Sequence, residues 1–229
     1  MNRIFFTSDT HYGHKNICRG VSTWPDIHST RDFNTVEEMN QTIIDSINKY
    51  VGEDDVMYHL GDWSFGGIDN IWEFRKQIKC KNVHLILGNH DQHIAKNKKM
   101  RNVFIQFNSG RIVDIENSTS DWDEVAEAQD LFTSVNQVLN VKINSQPKCE
   151  VFLSHYSHRV WDRSHKGVIH LYGHSHNSID NNYGKSMDVG MDAIYALKGE
   201  YRPISIEEIL DIMKDRDVKL VDHHSPDTN

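Results

Sequence analysis

Val56-Met57-Tyr58-His59-Leu60-Gly61-Asp62 is an apolar run that stops at a glycine and a carboxylate. Four other apolar runs likewise stop at residues of metal-ligand type. Ile4-Phe5-Phe6-Thr7-Ser8 leads into Asp9-Thr10-His11, and His84-Leu85-Ile86-Leu87 into Gly88-Asn89-His90-Asp91. Val151-Phe152-Leu153-Ser154 leads into His155, and Val168-Ile169-His170-Leu171-Tyr172 into Gly173-His174-Ser175-His176. Short apolar runs bounded by turn residues read as buried strands. Ligands of α/β proteins gather just beyond the carboxyl ends of such strands, so five of them predict one shared pocket. In extended backbone, residues two apart point the same way, and Asp9 with His11, like His174 with His176, is expected to present a pair of ligands. The glycines ahead of Asp62, Asn89 and His174 suit a sharp turn and a close backbone approach.

Outward from these runs the pattern turns helical. Thr35 and Glu38 form a capping box for an amphipathic stripe of Val36, Met39, Ile43, Ile47 and Tyr50. Asp69 is placed to cap a short helix through Ile71, Trp72, Arg75 and Ile78, and Ser205 with Glu208 opens a last helix through Ile209, Leu210 and Met213. Further strands are expected at Val103 to Phe107, Arg111 to Ile115, Val138 to Ile143 and Cys149 to Leu153. Trp122, Val125, Gln129, Phe132, Val135 and Leu139 share one helical face, which reads as a helical insertion around 108–136. The class is therefore α/β with several antiparallel strands, which favours two packed sheets covered by helices over a doubly wound sheet. A single domain over 1–222 and a frayed tail over 223–229 complete the division, with His223 and His224 solvated.

The 229 residues fit one core, and no apolar run approaches the roughly 18 residues of a membrane span. The opening segment leads directly into a strand motif, so no cleaved leader is expected. Cys18, Cys80 and Cys149 are far apart and form neither a paired framework nor a Cys-x-x-Cys zinc site, in keeping with a reducing cytoplasm. A net charge of −8 argues against a long nucleic-acid footprint. It leaves phosphate binding open, because bound cations reverse the local field. Histidine is over-represented, with 15 residues, and most of the runs above end on one.

The ordered series Asp-x-His, Gly-Asp, Gly-Asn-His-Asp, His and Gly-His-x-His resembles the calcineurin-like metallophosphoesterase superfamily. Ser8-Asp9-Thr10-His11-Tyr12-Gly13-His14 and His59-Leu60-Gly61-Asp62 look most like its small bacterial and phage members. Asp188-Val189-Gly190-Met191-Asp192 and Pro203-Ile204-Ser205 are also similar to the family. The resemblance implies two packed mixed β-sheets flanked by helices, a four-layer αββα sandwich, in a bacterial or phage-host cytoplasm. It implies one metal on Asp9, His11 and His176, a second on Asn89, His155 and His174, and Asp62 bridging both. Manganese is the foremost choice for this donor set, with iron, zinc or nickel compatible. Such a pair clamps a phosphoryl group and activates a water or hydroxide. His90 matches the histidine that protonates the leaving oxygen. Asp91 either orients the turn or caps the next helix.

The chain departs from the better-known branches at two positions. Protein phosphatases place an acidic residue three positions after the Gly-Asp and then an arginine, where this chain has Phe65 and Gly66. Purple acid phosphatases put a metal-binding tyrosine there, and Phe65 has no hydroxyl. Arg159 is a phosphate contact or a surface ion-pair residue, and His14 lines the site or serves its turn. The run from Lys96 to Arg101 admits anions or forms a solvated face. The expected substrate is a small or nucleotide-like phosphate mono- or diester. A DNA or RNA nuclease and a non-catalytic metal-binding scaffold are the rivals. No membrane partner is implied.

Overall fold

The computed structural model describes residues 2–99, 103–106, 111–114, 127–180 and 183–220. Along the chain the strands are β1 (Ile4–Thr7), β2 (Val56–His59), β3 (Asn82–Ile86), β4 (Val103–Gln106), β5 (Arg111–Asp114), β6 (Ser134–Asn136), β7 (Val138–Ile143), β8 (Cys149–Ser154), β9 (Ile169–Tyr172), β10 (Ser186–Asp188) and β11 (Ile204–Ser205). The helices are α1 (Val36–Tyr50), α2 (Ile68–Arg75), α3 (Gln92–Ala95), α4 (Met191–Lys198) and α5 (Ile206–Met213).

Two mixed sheets with flanking helices make up the body. The first runs β11-β1-β2-β3-β6, with only β11 antiparallel to its neighbour. The second runs β10-β9-β8-β7, with only β7 antiparallel. β4 and β5 pair as a separate antiparallel ribbon.

Strand alternation explains the layering. On the first sheet Phe5, Met57, Val83 and Leu85 face α1 and α2, where Met39, Ile43, Ile47 and Phe74 meet them. Phe6, Tyr58 and Ile86 face the other way, onto Val151, Leu153, Ile169 and Leu171 of the second sheet. α4 adds Ile194 to this inner layer, and α5 adds Ile206, Ile209 and Met213. On its far side the second sheet carries Phe152, which packs with Trp161 and Val168.

Local signals explain most helix starts. The Ser205–Glu208 capping box is complete: the Ser205 hydroxyl accepts the Glu208 N–H, and the Glu208 carboxylate accepts the Ser205 N–H. Thr35 caps α1 by accepting the Glu38 N–H, but the Glu38 carboxylate reaches the Asn34 N–H instead of that of Thr35. The expected cap from Asp69 is not made. α2 begins two residues earlier, at Ile68, after Gly67, and Asp69 lies in its first turn.

The helix expected through Trp122 to Leu139 is corrected in its second half. Ala128–Leu131 is a single 3-10 turn, Ser134–Asn136 joins the first sheet, and Val138 begins a strand. Trp122 and Val125 lie outside the described residues, as do most of the 108–126 part of the insertion, Met100, Arg101 and the 223–229 tail. The three cysteines are unpaired, with Cys18 and Cys80 buried. Among the described residues no helix is long and apolar enough to cross a membrane.

Candidate metal centre

The carboxyl ends of parallel strands from both sheets meet at one end of the sandwich. Ser8, just past β1, bridges Gly190, just past β10, and the Met191 N–H reaches the Ser8 carbonyl at 3.0 Å. The loop after β1 is tied to the loop after β2 by Asp9 N to Gly61 O (2.9 Å) and His11 N to Asp62 O (3.1 Å). The loops after β8 and β9 are tied by Gly173 N to His155 O at 3.0 Å.

Two groups of ligand atoms result, and each draws on both sheets. Asp9, His11 and His176 form one, and Asp62, His155 and His174 the other, with the ligand atoms of each group within 4.8 Å of one another. In the first group His11 Nε2 lies 3.2 Å from His176 Nε2, and both lie 3.9 Å from Asp9 Oδ1. In the second, the Asn89 side-chain oxygen stands 3.1 Å from His155 Nε2 and 3.0 Å from His174 Nδ1. Asp62 Oδ2 lies between the groups, 3.7 Å from His11 Nε2 and 3.6 Å from His155 Nε2.

The backbone that delivers these side chains is not extended. Asp9, His11, Asp62, His174 and His176 all have positive φ, from 46° to 66°. The reason expected for the Asp9–His11 and His174–His176 pairs is thereby corrected. Left-handed turns, not alternation along a strand, aim them, and each such residue carries roughly 1–2 kcal/mol of backbone strain. His174 and His176 also fall into different groups. Two glycines permit the close approach. A Cβ on Gly88 would sit 2.2 Å from Asp62 Oδ1, and one on Gly173 would sit 2.5 Å from Asp9 Oδ2.

The donor atoms fit divalent cations. Asp9 Oδ2 accepts the His174 N–H at 2.9 Å, while Oδ1, amid the clustered imidazoles, is buried with no hydrogen-bond partner among the described residues. A buried carboxylate oxygen with no donor is costly, and a cation supplies the missing partner. Burial lifts the Asp9 pKa to about 7, against the pull of the neighbouring His176 and His155. Burial and the Arg31 charge hold His11 well below the usual histidine value, so its ring is neutral and offers a lone pair. His155 is oriented by Nδ1 donating to the Leu60 carbonyl at 2.7 Å, which leaves Nε2 free toward Asp62 and Asn89.

Two residues given no role by the sequence support this cluster. Arg31 is fully buried; it donates to the Asp9 carbonyl (2.6 Å) and the Thr10 carbonyl (3.1 Å), and it grips Asp192. Asp192 Oδ2 in turn accepts His176 Nδ1 at 2.6 Å. Burial pushes the Asp192 carboxyl up, but the Arg31 charge and the His176 hydrogen bond carry it far below the carboxylate range. Burial lowers His176, and the bond to Asp192 with the charge of Asp9 more than restores it. No periodicity marks Arg31; Asp192 stood in a family-like segment without an assigned role.

The remaining candidates divide. The His90 side chain is partly exposed, with Nε2 4.0 Å from Asp62 Oδ2, and its backbone N–H donates to Asp62 Oδ1 at 2.9 Å. Asp91 does not cap α3 with its side chain; it accepts the N–H groups of Asp62, Trp63 and Gly88 and locks the two turns together. His14 is buried behind Phe65, the rings stacked at 4.1 Å, and burial lowers its pKa to about 4. Arg159 is exposed and makes no hydrogen bond or ion pair among the described residues. A cleft of about 200 Å³ adjoins the cluster at Asn89 and His90. A larger one, about 920 Å³, lies at the opposite strand ends near Cys149, Ile169 and Met213 and holds none of the clustered ligands.

The calcineurin-like phosphoesterase family model matches residues 2–228. The chain is 31% identical over 124 residues to an uncharacterized protein of Methanocaldococcus jannaschii, the alignment covering 53% of this chain and 62% of that one. The match thus spans about three fifths of the archaeal relative. Against the Gene 66 protein of Mycobacterium phage L5 the identity is 24% over 232 residues, covering 93% and 95% of the two chains. A solved structure of a protein of unknown function from Aquifex aeolicus has a TM-score of 0.56 at 16% identity, covering 93% of this chain and 100% of that one. That likeness speaks to the fold.

Proposed function

This chain belongs to the calcineurin-like phosphoesterase family, and from that premise we propose that it hydrolyses phosphate mono- or diesters with two divalent cations held by the two ligand groups. The observation that carries the reading is the position of Asp62 Oδ2, nearly equidistant from one imidazole of each group. Asp9, His11 and His176 would hold one cation, Asn89, His155 and His174 the other, and Asp62 both. Cations so held lower the pKa of water toward neutrality and stabilise charge that develops during an in-line displacement. Carboxylate, amide and imidazole donors suit manganese first, then iron, zinc or nickel.

The chain's own residues supply the rest. His90 fixes Asp62 through its backbone N–H and presents a partly exposed ring beside it, the position from which a leaving oxygen can be protonated. Arg31 and Asp192 hold His176 in the tautomer that offers Nε2 to the cluster. The three unpaired cysteines support a cytoplasmic setting.

A panel of mono- and diesters, cyclic nucleotides included, assayed with each candidate metal tests the proposal. Turnover with manganese that a chelator abolishes is the expected result. Metal uptake without turnover of any ester would favour the scaffold reading. Salt-sensitive binding and cleavage of oligonucleotides would favour the nuclease, against which the net charge of −8 stands.

A further inference from the structure

We infer that the cleft beside His90 receives the leaving group of the ester, that this group is an uncharged planar ring system of the nucleoside type, and that Phe65 selects it. The inference rests on the phosphoesterase reading above and names its substrate class.

The cleft shares Asn89 and His90 with the ligand cluster and continues past Ser64, Phe65, Ile71 and Gln92. It therefore opens from the phosphoryl position on the side where His90 can meet a leaving oxygen. Among the described residues no lysine or arginine lines it, and the one carboxylate there, Asp91, is occupied by three backbone N–H groups. Apart from the imidazoles of His90 and His93, an anionic leaving group would find no basic side chain and no permanent counter-charge there. A neutral one meets no such penalty.

Phe65 stands at the lip with 38% of its surface exposed. Its ring is braced rather than free. His14 stacks against it at 4.1 Å, His90 meets it at 5.2 Å, and Trp24 closes on His14 edge-to-face at 5.6 Å. His14 is itself buried, so it backs the ring instead of meeting a ligand. A braced, half-exposed aromatic ring is a platform for another flat ring, which loses little freedom on stacking. Beyond Phe65 the rim is bare: a Cβ on Gly67 would touch nothing within 4 Å. Gln92, exposed on the same cleft, offers both a donor and an acceptor to ring heteroatoms.

Calorimetric titration of the manganese-loaded chain with non-hydrolysable phosphonate analogues of adenosine 5′-phosphate and ribose 5-phosphate tests the assignment, because only the base differs. The adenosine analogue is expected to bind about tenfold tighter. Phe65→Ala should bring that ratio close to one without changing the affinity of the ribose analogue or the manganese content; Phe65→Tyr should keep the ratio. Phe65→Leu preserves bulk and removes the π-face, so it serves if the alanine variant misfolds. Equal affinities in the parent protein, no binding of either analogue, or a base preference that survives Phe65→Ala and Phe65→Leu would overturn the inference. Failure of the phosphoesterase reading shows itself separately, as no turnover of any ester, and leaves the binding ratio readable.

Discussion

Arg31 and Asp192, separated by 161 positions in the chain, form a two-pronged ion pair beneath the ligand cluster, Nε to Oδ1 at 2.9 Å and Nη2 to Oδ2 at 2.8 Å. The second oxygen is also the one that accepts His176 Nδ1. One carboxylate thus answers the buried guanidinium and sets the tautomer of a candidate imidazole ligand.

Asp192→Asn should weaken manganese binding by about 10–100-fold, because His176 loses the partner that orients it. It should also lower folding stability by roughly 3 kcal/mol, since Arg31 keeps its charge in a buried setting. Adding Arg31→Met to that variant should recover stability but not metal affinity. Metal titration and urea unfolding of the two variants separate the effects; recovery of both together would assign Asp192 a role in packing alone.

The metal-free chain should respond to pH through Asp9. Its carboxyl is raised from the ordinary 3.8 to about 7 in the fold, so the folded state holds the proton that the unfolded chain releases. Stability from this group is complete below pH 3.8, falls as pH rises toward 7, and is flat above. Asp9→Asn cannot ionise, so its advantage over the parent should grow across that window, to on the order of 4 kcal/mol at pH 8. Urea unfolding of chelator-treated proteins at about pH 5.5 and pH 8 checks it. An advantage of equal size at both would contradict the burial argument.

His90→Ala removes a side chain but leaves the backbone N–H that holds Asp62. Manganese content should stay at the parental value while kcat falls about a hundredfold or more. Full activity in a normally metallated variant would remove His90 from the chemistry.

Gly88→Ala places a methyl group 2.2 Å from Asp62 Oδ1. The carboxylate between the two groups must move, and both metal equivalents should be lost together, as read by elemental analysis after dialysis. Retention of both would show that the turn yields at no cost to Asp62.

The clustering of the candidate ligands was readable because each follows an apolar run, and parallel strands in register carry those run ends to the same edge. Asp9, Asp62, Asn89, His155 and His174 needed no further signal. Arg31 had none to give: it lies in an irregular stretch after the turn at Ile27–Ser29, and a lone arginine does not announce its burial. The positive φ of five candidate ligands was hidden because that conformation is normally signalled by glycine, and here aspartate and histidine adopt it. Val135 and Leu139 misled for a different reason. Their spacing from Phe132 fits a helix, but pairing with β3 and β8 fixes them as strand residues.

Because each ligand group takes residues from both sheets, an ion seated in either would act as a clasp across the seam of the sandwich. The mouth at that seam is otherwise held by the short Ser8–Gly190 contact, the Arg31–Asp192 ion pair and a few hydrogen bonds such as His174 N–H to Asp9 Oδ2. Cation loading should then slow amide exchange in the loops after β1, β2, β8 and β9 together, while the far strand ends keep their rates. In this chain the machinery for chemistry would double as a fastener.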